Sequence, residues 1–176
     1  MSYFHQESER LTYRKLNTAD TKTWLDFFKN NDRLHFIGFD MTKSHEELAH
    51  DWIQKQIGRY AESGFGHLAV IDKTNDELIG LAGIIPRELN DQNYYEIAYS
   101  FKPTAWGKGF GTEVAKQMRQ YGVSANVSSH YISIIHIENK ESMHVAVKNG
   151  MIPLFNSEFL GMKVTVFGDE QLKPNE

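Results

Sequence analysis

The sequence predicts one mixed α/β domain, and three observations carry that expectation. Short apolar runs of period two recur along the 176 residues, longer stretches show an apolar stripe at helical spacing, and glycine, asparagine and aspartate punctuate the joins. The length suits a single domain over residues 1–176, since a chain of this size hides about 68–70% of the surface it would expose unfolded. With no cysteine, a disulfide scaffold, a thiolate zinc site and a cysteine nucleophile are excluded, and a cytoplasmic location is the default. The polar first ten residues lack the apolar segment of a signal peptide, and no run approaches the ~18 apolar residues of a membrane span. A formal charge of -4 and a pI near 6.1 argue against nucleic acid as a partner and slightly favour cations. The eight histidines show no H-E-x-x-H pair or similar spacing, so no metal is expected.

Residues 1–9 are expected as a loosely ordered tail. Arg10 to Leu16 alternates as a strand, and Asn17 to Asp20 supplies helix-capping chemistry for a short helix through Trp24, Leu25, Phe27 and Phe28. From Arg33 to Lys43, His35, Phe36, Phe39 and Met41 mix with glycine and charge, which fits a loop lining a site or one docked on the core. Ser44-His45-Glu46-Glu47 is a capping box, so a long helix begins there, carries Leu48, Trp52, Ile53, Ile57, Tyr60 and Ala61 on one face, and stops at Ser63-Gly64. His67–Asp72 and Glu77–Ile85 read as a hairpin turning at residues 73–76, with Pro86 closing the second strand.

Tyr94–Phe101 alternates again, setting Tyr95, Ile97 and Tyr99 against Glu96, Ala98 and Ser100. After a glycine loop comes a helix with the stripe Val114, Ala115, Met118, Tyr121, then a β-branched run Tyr131–Ile137 that reads as a buried strand. Asn139 caps a short helix ending at Asn149-Gly150-Met151, where the glycine can take the left-handed conformation and the methionine can fold back on the last turn. Two closing strands, near Leu154–Phe159 and Met162–Phe167, precede a tail at 169–176.

The sharpest feature is Trp106-Gly107-Lys108-Gly109-Phe110-Gly111-Thr112-Glu113, placed between a strand and an amphipathic helix. Glycines let successive N–H groups turn outward and the helix start adds partial positive charge, so a phosphate or diphosphate can be held without side chains. A tight structural turn fits the same spacing. The glycines follow neither G-x-G-x-x-G nor G-x-x-x-x-G-K-S/T, which sets aside dinucleotide binding and nucleotide hydrolysis.

Trp106-x-x-Gly109-x-Gly111 follows the Gln/Arg-x-x-Gly-x-Gly/Ala pattern with tryptophan in first position. With the preceding Glu96-Ile97-Ala98-Tyr99, and with Asn139-x-x-Ser142 followed by Lys148-Asn149-Gly150-Met151, the chain resembles the GCN5-related N-acetyltransferases. It is most similar to their ribosomal-protein-alanine N-acetyltransferase branch. The resemblance implies a central sheet of seven strands with flanking helices, and acetyl-CoA lying between the strands that end near Phe101 and Ile137. It implies that backbone near Phe101 and Lys102 binds the pantetheine arm, that Gly107, Lys108, Gly109, Phe110, Gly111 and Thr112 bind the diphosphate, and that Asn139 hydrogen-bonds the pantetheine chain. Three departures accompany it: Met151 stands where an aromatic is usual, Asn149 where an apolar residue is, and Ile135-His136-Ile137-Glu138 precedes Asn139. Glu113 favours the helix dipole but repels a diphosphate, so it is expected to point sideways.

Acetyl transfer to an amine needs a neutral amine, a polarised thioester and a proton for the leaving thiolate. Glu96 is the candidate base, or a carboxylate that fixes a neighbouring loop. Ala146 occupies the position where many relatives carry the acid tyrosine, so Ser142, from which the serine of this branch donates, is the candidate proton donor, or an ordinary serine of the first helical turn. His136 stands nearby as a possible acid or base and as a structural histidine alike. The acceptor is a small-molecule amine or a protein N-terminus, attacked directly without an acyl-enzyme and approaching past the 33–43 loop and the helix after Ser44. A noncatalytic acyl-CoA-binding module is the alternative, and a homodimer is compatible with base rates.

Overall fold

Alternating burial builds the sheet. A computed structural model describes residues 2–173, and within it eight strands pair in the order β1-β2-β3-β4-β5-β6-β8-β7. These are β1 His5–Glu7, β2 Leu11–Arg14, β3 Gly66–Asp72, β4 Glu77–Leu89, β5 Gln92–Phe101, β6 Ile132–His136, β7 Ile152–Phe159 and β8 Met162–Gly168. All neighbours run antiparallel except β5 and β6. The helices are α1 (Asp20–Trp24), α2 (His45–Glu62), α3 (Phe110–Ser124) and α4 (Lys140–Lys148), with short 3-10 turns at Leu25–Phe28, Leu34–Phe36, Pro103–Ala105 and Glu170–Leu172. None of the described helices is long and apolar enough to cross a membrane.

The period of two divides the sheet's side chains between two faces, with a third, smaller cluster at Leu89, Ile132 and Val166. Ala69, Ile71 and Leu81 face Trp24, Phe27, Phe28 and the α2 residues Leu48, Ala49 and Ile53. Leu68, Val70, Ala82, Ile84 and Ile97 face Val114, Ala115 and Met118 of α3 and Ala146 of α4. Because partners across a ladder share a face, Glu96, opposite Ile85, lies on the α2 side, while Tyr99, opposite Ala82, lies on the α3 and α4 side.

Several element boundaries follow the sequence closely. The Ser44 hydroxyl accepts from the Glu47 amide at 3.2 Å while the Glu47 carboxylate accepts from the Ser44 amide at 2.8 Å, so the capping box is complete. At the end of α4, Gly150 has φ 80° and the Met151 amide donates to the Ala146 carbonyl at 3.0 Å, which turns the buried Met151 back onto the helix. Asn149 is buried, and its Nδ2 donates to the Ala115 carbonyl at 3.4 Å.

Three expectations are corrected. Pro86 does not close β4, which continues to Leu89 and turns through Asn90 and Asp91, both at positive φ. The Ile84 amide points away from β5 to the Tyr3 hydroxyl, and β3 begins opposite Ile84. The Pro86 nitrogen, two residues on, faces the same side where no strand remains to bond, so proline removes no ladder bond. Residues 2–9 are not a loose tail, since β1 pairs with β2 and supplies the eighth strand and Tyr3 is buried; Met1 lies outside the described residues. Nor is the chain loose from 169 on, because Asp169 is buried and paired, although residues 174–176 lie outside the described range.

Tyr3 acts as a hydrogen-bonded plug. Its hydroxyl donates to the Gly66 carbonyl at 2.5 Å and accepts from the Ile84 amide at 2.8 Å, and burial drives its pKa well above the ordinary tyrosine value. Tyr3→Phe strands both backbone groups in the core, so we expect a loss of about 1–3 kcal/mol. That is a Tm drop of roughly 2–4 °C per kcal/mol, read by calorimetry.

Candidate functional site

The sheet opens where β5 and β6 part. Their parallel ladder holds one register pair, Glu96 with Ile132, and next to it the Ser133 hydroxyl, not a backbone amide, donates to the Ile97 carbonyl at 2.9 Å. Beyond this point Ala98 to Phe101 and Ser133 to His136 line opposite walls of a cleft of about 880 Å³. Gly107, Gly109, Phe110, Gly111 and Thr112 close one end, and Glu96, Arg87 and the α2 residues Trp52, Lys55 and Arg59 close the other.

The glycine loop has the backbone that the sequence asks for. Gly107 and Gly109 sit at φ 73° and 79°, a region other residues rarely adopt, and Gly109 is the N-terminal cap of α3. The first helical bond runs from the Glu113 amide to the Gly109 carbonyl, so the amides of Phe110, Gly111 and Thr112 have no partner within the helix. Together with the helix dipole they form an anion cradle.

Glu113 turns aside, as expected. It accepts from the Ser8 hydroxyl at 2.6 Å, from the Arg10 amide at 2.8 Å and from the Arg10 guanidinium at 2.7 Å. Burial alone would raise its pKa, but the Ser8 bond and the two Arg10 contacts outweigh burial and hold it below the usual carboxylate range. Arg10 also donates to the Lys108 carbonyl at 2.9 Å and covers the Phe110 ring at 4.5 Å. The turn between β1 and β2 therefore braces the loop from behind.

The predicted binding residues are not all placed at the cleft. Phe101 lines it, and its carbonyl accepts from the Trp106 indole at 2.9 Å, which ties the end of β5 to the loop. Lys102 does not: its amide donates to the Ile79 carbonyl at 2.9 Å and its ammonium lies 3.5 Å from Asp26, so the strand pairing that holds β5 to β4 has already used it. The Lys108 side chain is exposed and outside the cleft lining. Asn139 does line the cleft, and its Oδ1 caps α4 by accepting from the Ser142 amide at 3.1 Å, leaving its side-chain NH2 free to donate.

Glu96 is buried, and its Oε2 accepts from the Arg87 Nε at 2.5 Å across the β4–β5 pair. Ser142, on the first turn of α4, lies on the opposite side of the sheet. The sequence reading missed its neighbour Tyr99, whose hydroxyl donates to the Ser142 Oγ at 3.4 Å. Burial pushes the Tyr99 pKa up to about 12, against the lowering effect of that bond, so the phenol keeps its proton at neutral pH. Its signal was present in the alternation, which puts Tyr99 beside Ile97, but nothing local shows that α4 brings a serine to it. His136 lines the cleft as well, its Nδ1 accepting from the Glu138 amide at 3.1 Å and its ring 5.0 Å from that of Phe36. The 33–43 loop proves to be a lining loop, contributing Arg33, Phe36, Ile37, Gly38 and Phe39, with Arg33 stacked 4.0 Å from the Trp106 ring. Among the described residues no group of three His, Asp or Glu side chains could hold a metal ion.

Known proteins resemble this chain in sequence or in fold. An uncharacterized protein of Bacillus subtilis (strain 168), YkkB, is 35% identical over 148 residues, covering 82% of this chain and 83% of its own. The fold matches that of RimL, a ribosomal alpha-N-protein acetyltransferase solved in complex with coenzyme A, with a TM-score of 0.76 at 14% identity over 92% of this chain and 94% of that one. It also matches the ribosomal-protein-S5-alanine acetyltransferase from Vibrio fischeri, with a TM-score of 0.71 at 16% identity over 97% and 99% of the two chains. The family model described as an acetyltransferase (GNAT) domain matches residues 10–152. Spanning both the glycine loop and the α4 motif, that match shows that the chain belongs to the GNAT acetyltransferase family.

Proposed function

We propose that the protein is an acetyl-CoA-dependent N-acetyltransferase that acetylates a primary amine, on a small molecule or a protein N-terminus, by direct transfer. The observation that carries this reading is the cleft between the parting β5 and β6, with unpartnered helix-start amides at one end and a buried carboxylate at the other. Gly107, Gly109, Phe110, Gly111 and Thr112 hold the diphosphate through their amides, and Asn139 with the edge of β5 near Phe101 holds the pantetheine arm. When bound, acetyl-CoA supplies the acyl group and a thiolate leaving group.

The two proton tasks fall on opposite faces of the sheet. On the α2 face, Glu96 takes a proton from the incoming amine through the oxygen that Arg87 leaves free, since an amine with a pKa near ~8–10 is largely protonated at neutral pH. The nitrogen lone pair forms the N–C bond as the C–S bond breaks, and the second proton shed by the acylated nitrogen passes to solvent, from which Tyr99 regains the one it gives up. On the α4 face, Ser142 gives its proton to the departing sulfur and is resupplied by Tyr99, which takes over the work of the tyrosine absent at Ala146. The parting of the strands is what makes both faces reachable from one thioester.

Ala146 also motivates the other reading, a noncatalytic acyl-CoA-binding module. A thermal-shift titration tests the shared cofactor site: at 100 Kd, acetyl-CoA or CoA should add about 2.7 kcal/mol, several degrees, while ATP and NADH should not. Absence of that shift in folded protein overturns the acetyltransferase reading. With binding established, Ser142→Ala and Tyr99→Phe are each expected to lower kcat about 10- to 100-fold at unchanged CoA affinity. Turnover of no amine at all selects the binding module.

A further inference from the structure

The acceptor end of the cleft is cationic, although the chain as a whole is acidic. Lys55 and Arg59 lie one turn apart on α2, on the face toward the cleft, and Arg87 comes to them from β4. Among the described residues neither Lys55 nor Arg59 has a carboxylate within 4 Å, and only Arg87 is paired, with Glu96. The other acids in the lining are occupied elsewhere, Asp51 by Lys43 at 2.6 Å and Glu141 by Arg33 at 3.1 Å. Three cations therefore converge on one carboxylate. Burial, and then repulsion from Arg87, joined for Lys55 by Arg59, lowers the pKa of both Lys55 and Arg59. Such a cluster stands at an electrostatic cost that a bound anion would relieve.

A fourth donor completes the site. His67 is buried to 7% exposure on β3 and lines the same end. Its Nδ1 accepts from the Trp52 indole at 3.3 Å, so its proton resides on Nε2, a buried atom without a hydrogen-bond partner. Burial, followed by repulsion from Arg59, Arg87 and Lys55, pushes its pKa down to about 3, so it remains a neutral N–H donor across the working pH range. The Gln56 Oε1, which accepts from both the His67 amide at 3.0 Å and Arg59 at 3.1 Å, fixes the two elements together.

These groups cannot serve the CoA phosphates. Glu96 is five residues along β5 from Phe101, about 17 Å at ~3.4 Å per residue, and Arg87 lies farther still from the glycine loop. What remains for them is the acceptor. We infer that the acceptor is an amine that itself carries a carboxylate, held by Lys55, Arg59, Arg87 and the His67 Nε2–H while its nitrogen meets the free oxygen of Glu96. Because Arg87 touches Glu96 directly, amine and carboxylate are separated by only a few bonds. The same cations lower the pKa of the bound ammonium, which eases the proton removal that attack requires. This inference rests on the acetyltransferase reading and names the substrate class of its site.

Matched amines test it, with acetyl-CoA binding measured first by thermal shift on the same protein. Free amino acids are compared with their primary amides, and peptides with an acidic second residue with neutral ones, by kcat/KM. The carboxylated member of a pair is expected to be favoured about tenfold or more, and Lys55→Met or Arg59→Gln to abolish that preference at unchanged CoA affinity. Preference among the free amino acids makes the source a small metabolite, and preference confined to the peptides makes it an acidic N-terminal segment; both support the inference. Amides, neutral peptides or spermidine turned over as well as the acids, with acetyl-CoA bound, would overturn it and leave the acetyltransferase reading standing. If acetyl-CoA does not bind, both fall.

Discussion

Glu96→Gln is expected to lower kcat by about 10²- to 10⁴-fold at pH 7 while acetyl-CoA affinity stays within about twofold. The substitution is conservative in shape: the glutamine oxygen still accepts from the Arg87 Nε that now bonds Glu96 at 2.5 Å, so the partly buried guanidinium keeps a partner. What is lost is the capacity to take a proton. The pH profile separates this from a structural role. If Glu96 deprotonates the amine, the variant depends on amine already neutral in solution, so its rate should climb about tenfold per pH unit toward the amine pKa and recover part of the wild-type activity at high pH. A carboxylate that merely anchors Arg87 would show instead a lowered Tm and a pH profile of unchanged shape. Steady-state kinetics across pH 6–9, with CoA affinity by calorimetry, reads both.

How much of this was legible in the sequence depends on the range of the interaction. Local signals read well: the Ser44 box, the hairpin turn before Glu77, the left-handed glycines of the loop and the Gly150 stop all depend on residues within four positions of each other. Glu113 could be judged to turn aside because a carboxylate cannot face a diphosphate, but the Ser8 and Arg10 groups that hold it are more than 100 positions away. Pro86 misled because its tolerance depends on where β3 begins, which only the register reveals. Tyr99 and Ser142 were both visible, yet their meeting requires α4 to dock on β5. The cation cluster was hidden by summation: a chain with formal charge -4 still gathers Lys55, Arg59 and Arg87 at one end of a cleft, because two elements, α2 and β4, converge there.

The same limit of range makes the C-terminal segment the second place to strike. Asp169 reads as the first residue of a polar tail, but its side chain is 6% exposed, one oxygen accepts from Arg119 on α3 and the other accepts from the Tyr131 amide at 2.8 Å. Asp169 thus ties together the end of β8, the start of β6 and the last turns of α3. Asp169→Ala leaves a partly buried guanidinium without its counter-charge, holding only the Asn149 carbonyl at 3.4 Å, and a buried amide without its acceptor, and removing one member of a buried pair typically costs about 3–5 kcal/mol, a large share of the stability of a domain this size. Asp169→Asn keeps an acceptor for the amide and loses only the charge on a partner that is itself 28% exposed, so roughly half that loss is expected. Urea unfolding should show the midpoint falling in the order wild type, Asn, Ala at constant m-value. Equal midpoints for all three would mean that the segment after β8 is dispensable, and that β6, the wall of the cleft opposite β5, is held by its ladder with β8 alone.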